Sequence, residues 1–480
     1  MKENNRFDSL ELRAELLENL ALIDYHKMTL IQEKSLPLIL GGKDVVARAQ
    51  PGSGKTAAFG LGALNLINPG VSRVQALVLC PTRELATQVT SEIRRLAKKI
   101  PNVRVLSLCG GSPLGPQIAS LERGAHIVVG TPGRTLKHLE KNTLKLQALT
   151  TLVLDEADRM LDMGFSEEID VLLDYVPRRR QTLLFSATYP EAIEQMSARI
   201  QHKPSFVDVT ELEMPAEIEH HWVPVKRENR TQELLAALEC WGGTLNMVFC
   251  NTKRECAEIA EVLNDAGIPA LAIHGDLEQF ERTKTLIQFA NQSVSVLVAT
   301  DVAARGLDIG KVDVVFNYEL PGQPEVYVHR TGRTGRAGRT GRAISLVTEH
   351  ESRSLVAIQD HLPGMQIEKS EPTKVSGKSE LLLSSMGTIE INGGRRDKLR
   401  PGDLLGAVTA SGEIPGSAVG KIDVLETKTF IAIDKRNVSR VVEILNASPF
   451  KGKPFRARSL HGAGRRPTPW EVASHSSSKG

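Results

Sequence analysis

Three carboxylates stand within four positions at the end of an apolar run. The segment TLVLDEADRML places Asp155, Glu156 and Asp158 directly after residues that favour a buried β-strand. Acidic side chains this close repel one another unless a cation or a proton shares the site. One interpretation is a solvated helix start, because acidic residues favour helix N-termini. The other interpretation is a site that holds a divalent cation.

A glycine-rich turn supplies the second part of such a site. AQPGSGKT follows the strand-like DVVAR and precedes an apolar helical stretch. Gly52 and Gly54 let backbone N–H groups face a phosphate, with a helix N-terminus behind them. Lys55 would reach the β- and γ-phosphates, and Thr56 would hold Mg²⁺. Ala49 takes the place of the first glycine of the usual pattern, so a chance glycine-rich turn is the alternative.

The two motifs together account for the acidic cluster. With Mg²⁺ held by Thr56, Asp155 becomes a metal ligand through water, and the repulsion among the acids falls. Glu156 is then free to polarise a water molecule that attacks the γ-phosphate of ATP. The predicted chemistry is Mg²⁺-dependent hydrolysis of ATP.

Short apolar runs alternate with helical patterns over the first ~350 residues, which predicts the elements that position these motifs. The pattern restarts after a polar stretch near 209–230, so we expect two parallel sheets in tandem, with a linker near 209–225. Each motif begins at or just after the end of an apolar run, where parallel sheets gather their ligands. The candidate strands are 44–49, 76–80, 104–109, 126–130, 151–155, 182–186, 246–251, 270–275, 294–301, 314–318 and 343–348.

The C-terminal part of the chain differs in composition. Residues 368–383 form a polar stretch with Pro and Gly that is typical of a linker. A small α/β module follows over 384–460, and the Gly/Ser/Pro-rich tail 461–480 is typical of disorder. From Ser385 onward, 16 basic residues face 9 acidic ones, although the whole chain carries only +3. A basic C-terminal end on a mildly acidic body predicts binding to a polyanion.

The bulk composition favours a soluble cytoplasmic protein. No apolar run approaches the ~20 residues that span a bilayer, and the N-terminus has no signal-peptide core. The cysteines are odd in number and lack the paired spacing of zinc ligands, so we expect reduced thiols. They are Cys80, Cys109, Cys240, Cys250 and Cys256.

A repetitive arginine segment, YVHRTGRTGRAGRTGR, allows two interpretations. Its Gly-Arg triplets resemble a flexible, low-complexity RNA-binding segment. However, it follows a strand–loop unit and returns directly into the strand-like AISLVT, which favours a folded position. Arg333 and Arg336 would then reach the γ-phosphate of ATP as arginine fingers, a role that suits bidentate guanidinium groups. His329 would couple the sites, or would simply pack within a helix.

In this order, LIQ, AQPGSGKT, PTRELA, GG, TPGR, DEAD, SAT, QFER, ATDVAARGLDI and HRTGRTGR resemble the full motif set of the DEAD-box RNA helicases. The resemblance covers roughly Phe7 to Thr348. It implies an α/β fold with two tandem RecA-like parallel-sheet domains, over 1–208 and 209–367. It also implies that these domains close over ATP and RNA, bending one RNA strand so that local duplex unwinding occurs without translocation.

The resemblance also implies which residues hold the nucleotide. Phe7, Tyr25 and Gln32 would form the adenine-reading Q motif, with Tyr25 stacked on the base and Gln32 hydrogen-bonded to its edge. Asp24 stands where the family usually has Gly, and Met28 where it usually has Pro. The remaining residues implied for nucleotide binding are Gln50, Pro51, Gly52, Ser53, Gly54, Lys55, Thr56 and Asp308; Pro51 replaces the usual Thr or Ser.

The RNA side follows from the same resemblance. Contacts of this kind position a sugar–phosphate strand without reading its sequence. Taken singly, Arg134 and Arg282 are as consistent with surface salt bridges. Ser186 and Thr188 would couple the ATP site to RNA. The RNA-lining residues implied are Arg83, Gly111, Thr131 and Arg134 in the first domain, and Thr252, Arg282 and Thr300 in the second.

Residues 384–460 resemble the RRM-like C-terminal domain of the DEAD-box proteins that large-subunit ribosomal RNA activates. The resemblance implies binding to a 23S rRNA hairpin and a role, as a monomer, in assembly of the 50S subunit. Aromatic residues are scarce here, so base stacking is expected to be weak. The alternatives are a merely basic solvated face for the module and, for the whole protein, an ATP-gated RNA clamp or a DNA-remodelling ATPase. The basic residues expected to carry RNA affinity include Arg395, Arg396, Lys398 and Arg400.

Overall fold

The computed structural model describes residues 5–50, 52–209, 218–304, 312–335, 340–362, 365–372, 382–447 and 453–460. The chain forms two compact units, of which the first holds one sheet and the second holds two.

The first unit contains a seven-stranded parallel sheet, with the strand order β3-β4-β2-β5-β6-β1-β7. Its strands are β1 Val45–Arg48, β2 Ala76–Leu79, β3 Val105–Leu108, β4 Ile127–Gly130, β5 Thr151–Leu154, β6 Gln181–Ser186 and β7 Ser205–Asp208. Its helices are α1 Ala14–Leu22, α2 Leu30–Leu40, α3 Lys55–Leu66, α4 Arg83–Leu96, α5 Leu114–Glu122, α6 Pro132–Glu140, α7 Ala157–Asp162, α8 Ser166–Leu173 and α9 Glu191–Ile200.

Both faces of this sheet are buried because alternate residues of each strand enter different cores. In β1, for example, Val45 and Ala47 join one apolar cluster and Val46 joins the other. Strands that are apolar on both faces are typical of parallel sheets covered by helices. Helices cover both faces of the sheet, and its strands are parallel. The carboxyl ends of the six predicted strands therefore lie together at one edge of the sheet.

The second unit begins with another seven-stranded parallel sheet, in the order β10-β11-β9-β12-β13-β8-β14. Its strands are β8 Ile218–Pro224, β9 Asn246–Cys250, β10 Ala270–Ile273, β11 Val296–Thr300, β12 Val314–Asn317, β13 Gly341–Val347 and β14 Ile367–Lys369. Its helices are α10 Arg230–Trp241, α11 Lys253–Asp265, α12 Gln279–Ala290, α13 Asp301–Ala304, α14 Pro324–Thr331 and α15 Ser352–His361.

The C-terminal domain is a four-stranded antiparallel sheet with the order β16-β17-β15-β18. Its two helices pack on one face of the sheet, over a core that includes Ile389, Ile431 and Val441. The strands are β15 Met386–Ile391, β16 Val419–Val424, β17 Thr429–Asp434 and β18 Ala457–Leu460, and the helices are α16 Pro401–Thr409 and α17 Val438–Ala447.

The other face of this small sheet lies against the second parallel-sheet domain. The rings of Phe280, on α12, and Phe430, on β17, have centroids 6.4 Å apart. The side-chain amide of Asn291 donates to the hydroxyl of Thr388 at 3.3 Å, and Ser293 also bonds that hydroxyl. Phe430 and Thr388 are both fully buried.

All eleven candidate strands are present, and the predicted fold class is confirmed. The prediction of a linker near 209–225 was wrong for part of its length, because residues 218–224 form β8 inside the second sheet. The second sheet also extends beyond residue 367, since its edge strand β14 ends at Lys369. All five cysteines lie in the described residues and are free thiols.

Candidate functional site

The strand order of the first sheet sorts the motif loops along one edge. The loops after β3, β4 and β2 carry the residues predicted to contact RNA, and these strands are neighbours. The loops after β5, β6 and β1, which are the next three strands, carry the residues predicted to contact the nucleotide. The carboxyl ends of parallel strands form the ligand-binding edge of such a sheet. We call the part of the edge after β3, β4 and β2 the RNA half, and the part after β5, β6 and β1 the nucleotide half, after the contacts predicted for their residues.

The phosphate loop between β1 and α3 needs both of its glycines. Gly52 and Gly54 have φ values of +88° and +95°, which L side chains rarely adopt. A Cβ atom on Gly54 would also lie 2.5 Å from Nε2 of Gln32. Lys55, the first residue of α3, is buried, and its Nζ donates to the carbonyl of Ala49 at 2.7 Å. The lysine is therefore held inside the loop that would receive phosphates.

The other residues of this loop are less constrained. The hydroxyl of Ser53 donates to the carbonyl of Gln50 at 2.8 Å, and the Gln50 side chain is exposed. Thr56 is half-buried in the first turn of α3. Pro51 lies outside the described residues.

The predicted adenine-reading residues form one connected group. Phe7 and Tyr25 stack with ring centroids 6.4 Å apart, and the guanidinium of Arg95 lies 4.9 Å from the Tyr25 ring. Burial raises the pKa of Tyr25. Gln32 is buried, and its Nε2 donates to the carbonyl of Gly54 at 3.0 Å. Gln32 thus ties the Q motif to the phosphate loop, while its role in reading adenine stays a prediction.

Asp155 and Glu156 occupy the turn between β5 and α7. Asp155 is only 3% exposed, and its pKa is raised to about 7 by burial and by the charge of Glu156, against the charge of Lys55. Glu156 has a φ of +51°, a left-handed conformation that reverses the chain just before the helix. The burial of Asp155 excludes the alternative of a solvated helix start for this carboxylate.

The third acid of the cluster has a different partner. Asp158 accepts hydrogen bonds from the backbone N–H of Thr188 at 3.0 Å and from its hydroxyl at 2.8 Å. Burial alone would raise the pKa of Asp158, but the bonds from Thr188 and the charge of Arg159 lower it overall. Thr188, predicted to couple the sites, is therefore bonded directly to the acidic cluster.

Ser186 lies at the end of β6, beside the phosphate loop. Its carbonyl accepts from the N–H of Ala49 at 3.1 Å. Its buried hydroxyl has no hydrogen-bond partner among the described residues. A buried hydroxyl without a hydrogen-bond partner is unfavourable. A rearrangement of the phosphate loop that gave the Ser186 hydroxyl a partner would therefore be stabilising.

The oxygen donors at this edge suit a magnesium ion. Within the described parts of the chain, no group of three or more His, Cys, Asp and Glu side chains gathers to hold a metal. Mg²⁺ typically uses one or two protein oxygens, together with water and the phosphates of a nucleotide. The carboxylate of Asp155 and the hydroxyl of Thr56 match that limited donor set.

On the RNA half of the first sheet, Arg83 packs on a glycine pair and lies near a second arginine, Arg134. A Cβ atom on Gly110 would lie 2.9 Å from Nη2 of Arg83, so the arginine packs directly on the backbone there. Gly111 has a φ of +75°. Burial and the nearby charge of Arg83 lower the pKa of Arg134. Two adjacent guanidinium groups that repel each other favour an anion between them.

Sequence reasoning missed the residue that orients Arg134. The Oε1 atom of Gln117 accepts from Nη1 of Arg134 at 2.9 Å and bonds Nε2 of His138 at 2.8 Å. The backbone carbonyl of Ser112 also accepts from Arg134 at 2.9 Å. Thr131, which precedes α6, is buried. Arg134 is thus held within its own domain rather than in a surface salt bridge.

The second domain places its predicted RNA residues at the same kind of edge. Thr252 follows β9 and caps α11 by accepting from the N–H of Glu255 at 3.2 Å. Thr300 is the last residue of β11 and is buried. Nη2 of Arg282 lies 3.5 Å from the carbonyl of Ala303, within the same domain.

The described flanks of the arginine segment are folded, while residues 336–339 lie outside the described residues. His329 lies in the last turn of α14, and Arg333 follows that helix with a side chain only 6% exposed. The strand β13 begins at Gly341, so both flanks of the Gly-Arg repeats are regular structure. Arg336 and Asp308 lie outside the described residues.

Arg330 is the main residue that sequence reasoning missed in this segment. It is 1% exposed and makes a bidentate ion pair with Asp301, at 2.7 and 2.8 Å. It also donates to Oδ1 of Asn251 at 2.9 Å and to the carbonyl of Glu319 at 2.6 Å. Its ring partner is Phe249, 5.2 Å away. The arginine therefore ties α14 to the ends of three strands.

The basic loop of the C-terminal domain is exposed. Arg395, Arg396, Lys398 and Arg400 all lie between β15 and α16. The two described phenylalanines of this domain are buried: Phe430 against the second domain, and Phe455 in the core of its own. Phe450 lies outside the described residues. Neither described ring is exposed for stacking on a base.

No helix in the described residues is long and apolar enough to cross a membrane.

Comparison with known proteins assigns all three folded regions. Residues 29–196 match the DEAD/DEAH box helicase family, 229–338 match the helicase conserved C-terminal domain, and 388–459 match the DbpA RNA binding domain. The chain is 47% identical over 445 residues to the ATP-dependent RNA helicase DbpA of Escherichia coli, covering 92% of this chain and 97% of that protein. It is 35% identical over 479 residues to the ATP-dependent RNA helicase DbpA of Bacillus subtilis, covering 95% and 100%.

Among solved structures, S. cerevisiae Dbp5 bound to RNA and ADP BeF3 is similar, with a TM-score of 0.69 and 32% identity. That likeness covers 76% of this chain and 95% of the other. The motif order, the edge geometry and these matches agree, and the chain belongs to the DEAD-box ATP-dependent RNA helicases of the DbpA type.

Proposed function

We propose that this ATP-dependent RNA helicase binds 23S rRNA and remodels it during assembly of the large ribosomal subunit. The observation that carries the proposal is the exposed basic loop between β15 and α16, within a domain that matches the DbpA RNA binding domain. The protein would act as a monomer in the cytoplasm, with the C-terminal domain holding an rRNA hairpin while the RecA-like domains open nearby duplexes.

The loop is built to present cations to a polyanion. Its backbone is fixed, because the N–H groups of Arg395 and Arg396 donate to the carbonyls of Leu425 and Glu426 at 2.8 and 3.0 Å. The two guanidinium groups lie 3.9 to 4.0 Å from the carboxylate of Glu426. Exposed pairs at such distances contribute little stability, so phosphates compete for these side chains easily. Lys398 and Arg400 extend the same surface.

Hydrolysis of ATP would use the nucleotide half of the first sheet. Gly52 and Gly54 direct backbone N–H groups at the phosphates, and Lys55 moves from the Ala49 carbonyl to the β- and γ-phosphates. Mg²⁺, held by Thr56 and Asp155, would supply charge neutralisation on the phosphates.

Several residues then complete the nucleotide site. Glu156 orients and polarises the attacking water. Tyr25 and Gln32, supported by Phe7, read the adenine, with Asp308 on the ribose. Arg333 and Arg336 stabilise charge on the γ-phosphate in the closed state.

The RNA track would follow the RNA half of each sheet. Its contacts are to the sugar–phosphate backbone, so they are independent of sequence. Coupling would pass through Thr188, which bonds Asp158, and through His329 beside Arg330. Because ATP and RNA favour the same closed state, each must tighten the binding of the other. The residues proposed for the track are Arg83, Gly111, Thr131, Arg134, Thr252, Arg282 and Thr300.

The target is tested by titrating ATPase activity with fragments of 23S rRNA and with unrelated RNA of equal length. The variant Arg395→Ala/Arg396→Ala/Arg400→Ala should lose about tenfold in its preference for the rRNA fragment. The slope of log K for RNA binding against log salt concentration should also decrease by about three, because about three phosphate contacts are lost. The matched control changes Arg436 and Arg440 to Ala, since these exposed arginines of the same domain already pair with Asp434 and Glu413.

A preserved rRNA preference in the triple variant would contradict the proposed target. Release of a short labelled strand from a duplex distinguishes a helicase function from that of an RNA clamp. A clamp would hydrolyse ATP and retain RNA, but would release no strand.

A further inference from the structure

Seven turns lead from a helix of the first domain into the seven strands of its sheet. Because the strands are parallel, these turns lie together at the edge opposite the motif loops, and we call them the amino edge. Counted from the end of each helix to the start of the next strand, they hold twelve Lys and Arg residues and two acidic residues. Every one of the seven turns contains at least one Lys or Arg.

The cations of the amino edge are exposed and largely unpaired. Eleven of the twelve are exposed, and Arg180 is half-buried. Within the described residues, Lys99 is the one that forms an ion pair, with Glu18. Of the two acids, Asp44 is only 8% exposed, and its carboxylate accepts two backbone N–H groups at 2.8 and 2.7 Å. Ion pairs among the described residues therefore leave most of this positive charge uncompensated.

The helix macrodipole is one explanation for these cations. Each turn follows a helix C-terminus, where Lys and Arg are favourable. However, the turns before β9, β10 and β11 of the second sheet also follow helices, and they match the turns before β2, β3 and β4 in strand order. They contain no Lys, Arg, Asp or Glu. A position at a helix C-terminus therefore does not by itself account for cations in every turn of the first sheet.

Two of these uncharged turns are covered by protein. A Cβ atom on Gly242, before β9, would lie 2.8 Å from Cδ2 of Leu382. The hydroxyl of Ser293, before β11, bonds the hydroxyl of Thr388 in the C-terminal domain. The second sheet thus has neutral side chains where this edge packs against another part of the chain. The first sheet has exposed cations there instead, which suit a polyanion.

Backbone hydrogen bonds hold the turns of the amino edge in line. The N–H of His126 donates to the carbonyl of Arg104 at 2.9 Å, and the series continues through Gln75, Thr150 and Gln181 at 2.8 Å each. Six spacings of about 4.8 Å place β3 and β7 about 29 Å apart. The edge is therefore a long, fixed support for its charged side chains.

The most basic turn, before β6, is fixed by one of its own arginines. Nη1 and Nη2 of Arg180 donate to the carbonyls of Pro177 and Ile200 at 2.9 and 3.3 Å. The side chains of Arg178 and Arg179 are exposed and make no bond within the described residues. This turn therefore holds its backbone in place while two guanidinium groups stay accessible to a ligand.

The size and chemistry of the amino edge suit the backbone of RNA. Lys and Arg contacts to phosphates position a nucleic-acid strand and are independent of its sequence. A protein partner would need a core of its interface from which charged residues are depleted. The turns of this edge, all of them described, expose two large apolar side chains, Val71 and Tyr175. Since the chain belongs to the RNA helicases, RNA is the polyanion that these observations favour.

We propose that the amino edge of the first sheet is a second RNA-binding surface, which holds the sugar–phosphate backbone of RNA that flanks the strand being unwound. It lies at the end of the sheet opposite the RNA half, so it contacts a different part of the same RNA. The inference rests on RNA binding by the family and is independent of the proposed 23S rRNA target.

The test uses two RNA probes that contain no 23S rRNA sequence, with the full chain. One is a short single strand, and the other is the same strand flanked on both sides by long RNA duplexes. For Arg73→Gln/Arg178→Gln/Arg179→Gln, the Kd for the flanked RNA should rise about tenfold, and the slope of log K against log salt concentration should decrease by about three. The Kd for the short strand, and the kcat of the ATPase that it stimulates, should match the wild type.

A control variant, Lys34→Gln/Lys137→Gln/Arg353→Gln, removes the same charge from exposed positions on α2, α6 and α15. It should bind the flanked RNA as the wild type does. The proposal is overturned if the triple arginine variant keeps the wild-type Kd for the flanked RNA, if the control variant loses as much affinity, or if binding of both probes weakens equally.

Polyglutamate distinguishes RNA from an acidic protein as the partner. At equal charge, polyglutamate should bind the wild type more weakly than the flanked RNA does. Tighter binding of polyglutamate that the triple arginine variant loses would assign the amino edge to an acidic protein and overturn the proposal. Because neither probe contains 23S rRNA sequence, failure of this inference and failure of the proposed target are separate results.

Discussion

The two parallel sheets have the same strand order, yet the glycine-rich loop that follows β1 in the first has no counterpart after β8 in the second. Matching the sheets strand by strand pairs β1 with β8 and β5 with β12. Glu156 and Glu319 are then equivalent, since each is the second residue after its strand. Lys55 and Arg230 are also equivalent, because each begins the helix after the matching strand.

In the second sheet these equivalent charges bond to each other. Nη1 of Arg230 lies 3.7 Å from Glu319, and Arg230 also pairs with Glu351. The connection between β8 and α10, VKREN, has no glycine, so it offers no phosphate loop. In the first sheet, by contrast, Lys55 donates to the backbone carbonyl of Ala49, and this leaves the carboxylates of Asp155 and Glu156 available to a ligand. The same strand order therefore carries charged side chains that can receive a ligand in the first sheet, and charged side chains that pair with each other in the second.

The RNA halves differ much less. Thr82 caps α4 by accepting from the N–H of Leu85 at 3.2 Å, and Thr252 caps α11 by accepting from Glu255 at the same distance. Both threonines follow the matching strands, β2 and β9. The two sheets therefore differ in the loops of the half predicted to bind the nucleotide, while the half predicted to contact RNA has the same helix cap in both.

The largest expected effect separates the two equivalent glutamates. Glu156→Gln should lower kcat for ATP by roughly 10²–10⁴-fold, as expected for loss of a general base, while ATP-dependent RNA binding persists because Asp155 remains. Glu319→Gln, the matched control, should keep kcat within about threefold of the wild type, the scatter expected for a group outside the reaction. Steady-state ATPase assays measure kcat, and RNA fluorescence anisotropy measures RNA binding. Equal losses of kcat in the two variants would contradict the different roles assigned to Glu156 and Glu319.

The next effect concerns the pH dependence of stability. The pKa of Asp155 is raised to about 7 by burial, so folding favours its protonated form, and that stabilisation is lost as pH rises through 7. Without nucleotide, Asp155→Asn should therefore be more stable than the wild type at pH 8, by about 2–4 kcal/mol. The difference should vanish near pH 4, as measured by urea unfolding.

Asp158→Asn is the control of opposite sign. The pKa of Asp158 is lowered, so its contribution is present above the unfolded pKa and is lost as pH falls. Asp158→Asn should be less stable than the wild type at pH 8. Parallel pH profiles for the two variants would contradict the assigned electrostatics.

The smallest effect tests the equivalence of the RNA halves. Thr82→Ala and Thr252→Ala should each lower the free energy of unfolding by about 1 kcal/mol, the usual contribution of a helix N-cap. Thr82→Ser and Thr252→Ser retain the capping oxygen and should stay near the wild type. An effect at only one of the two positions would show that the caps are not equivalent.

Much of this arrangement was predictable from sequence because the strands are continuous apolar runs followed by motif residues. Strand β8 was missed because IEHHWVP is only partly buried, with Glu219 exposed and His221 half-buried, so it lacks the continuous apolar run of the other strands. Arg330 was missed because its partners Asn251, Asp301 and Glu319 come from three separate stretches that only the fold brings together. Local sequence does not reveal such tertiary contacts.

The C-terminal domain gives a similar lesson. Its basic loop and antiparallel sheet follow from composition and resemblance, and weak base stacking was expected from its few aromatic residues. The burial of Phe430 against Phe280 depends on a contact between two domains, which no local pattern encodes. Burial of the two described phenylalanines adds a physical reason for the expectation of weak stacking, beyond the small number of aromatic residues.

If ATP and RNA favour the same closed state, as proposed, then each ligand must tighten the binding of the other. The most direct measurement is the Kd of Glu156→Gln for single-stranded RNA with and without saturating ATP, together with its Kd for ATP with and without saturating RNA. We expect both dissociation constants to tighten by the same factor, about tenfold or more. If ATP leaves the Kd for RNA unchanged, the two halves are independent and the account is contradicted.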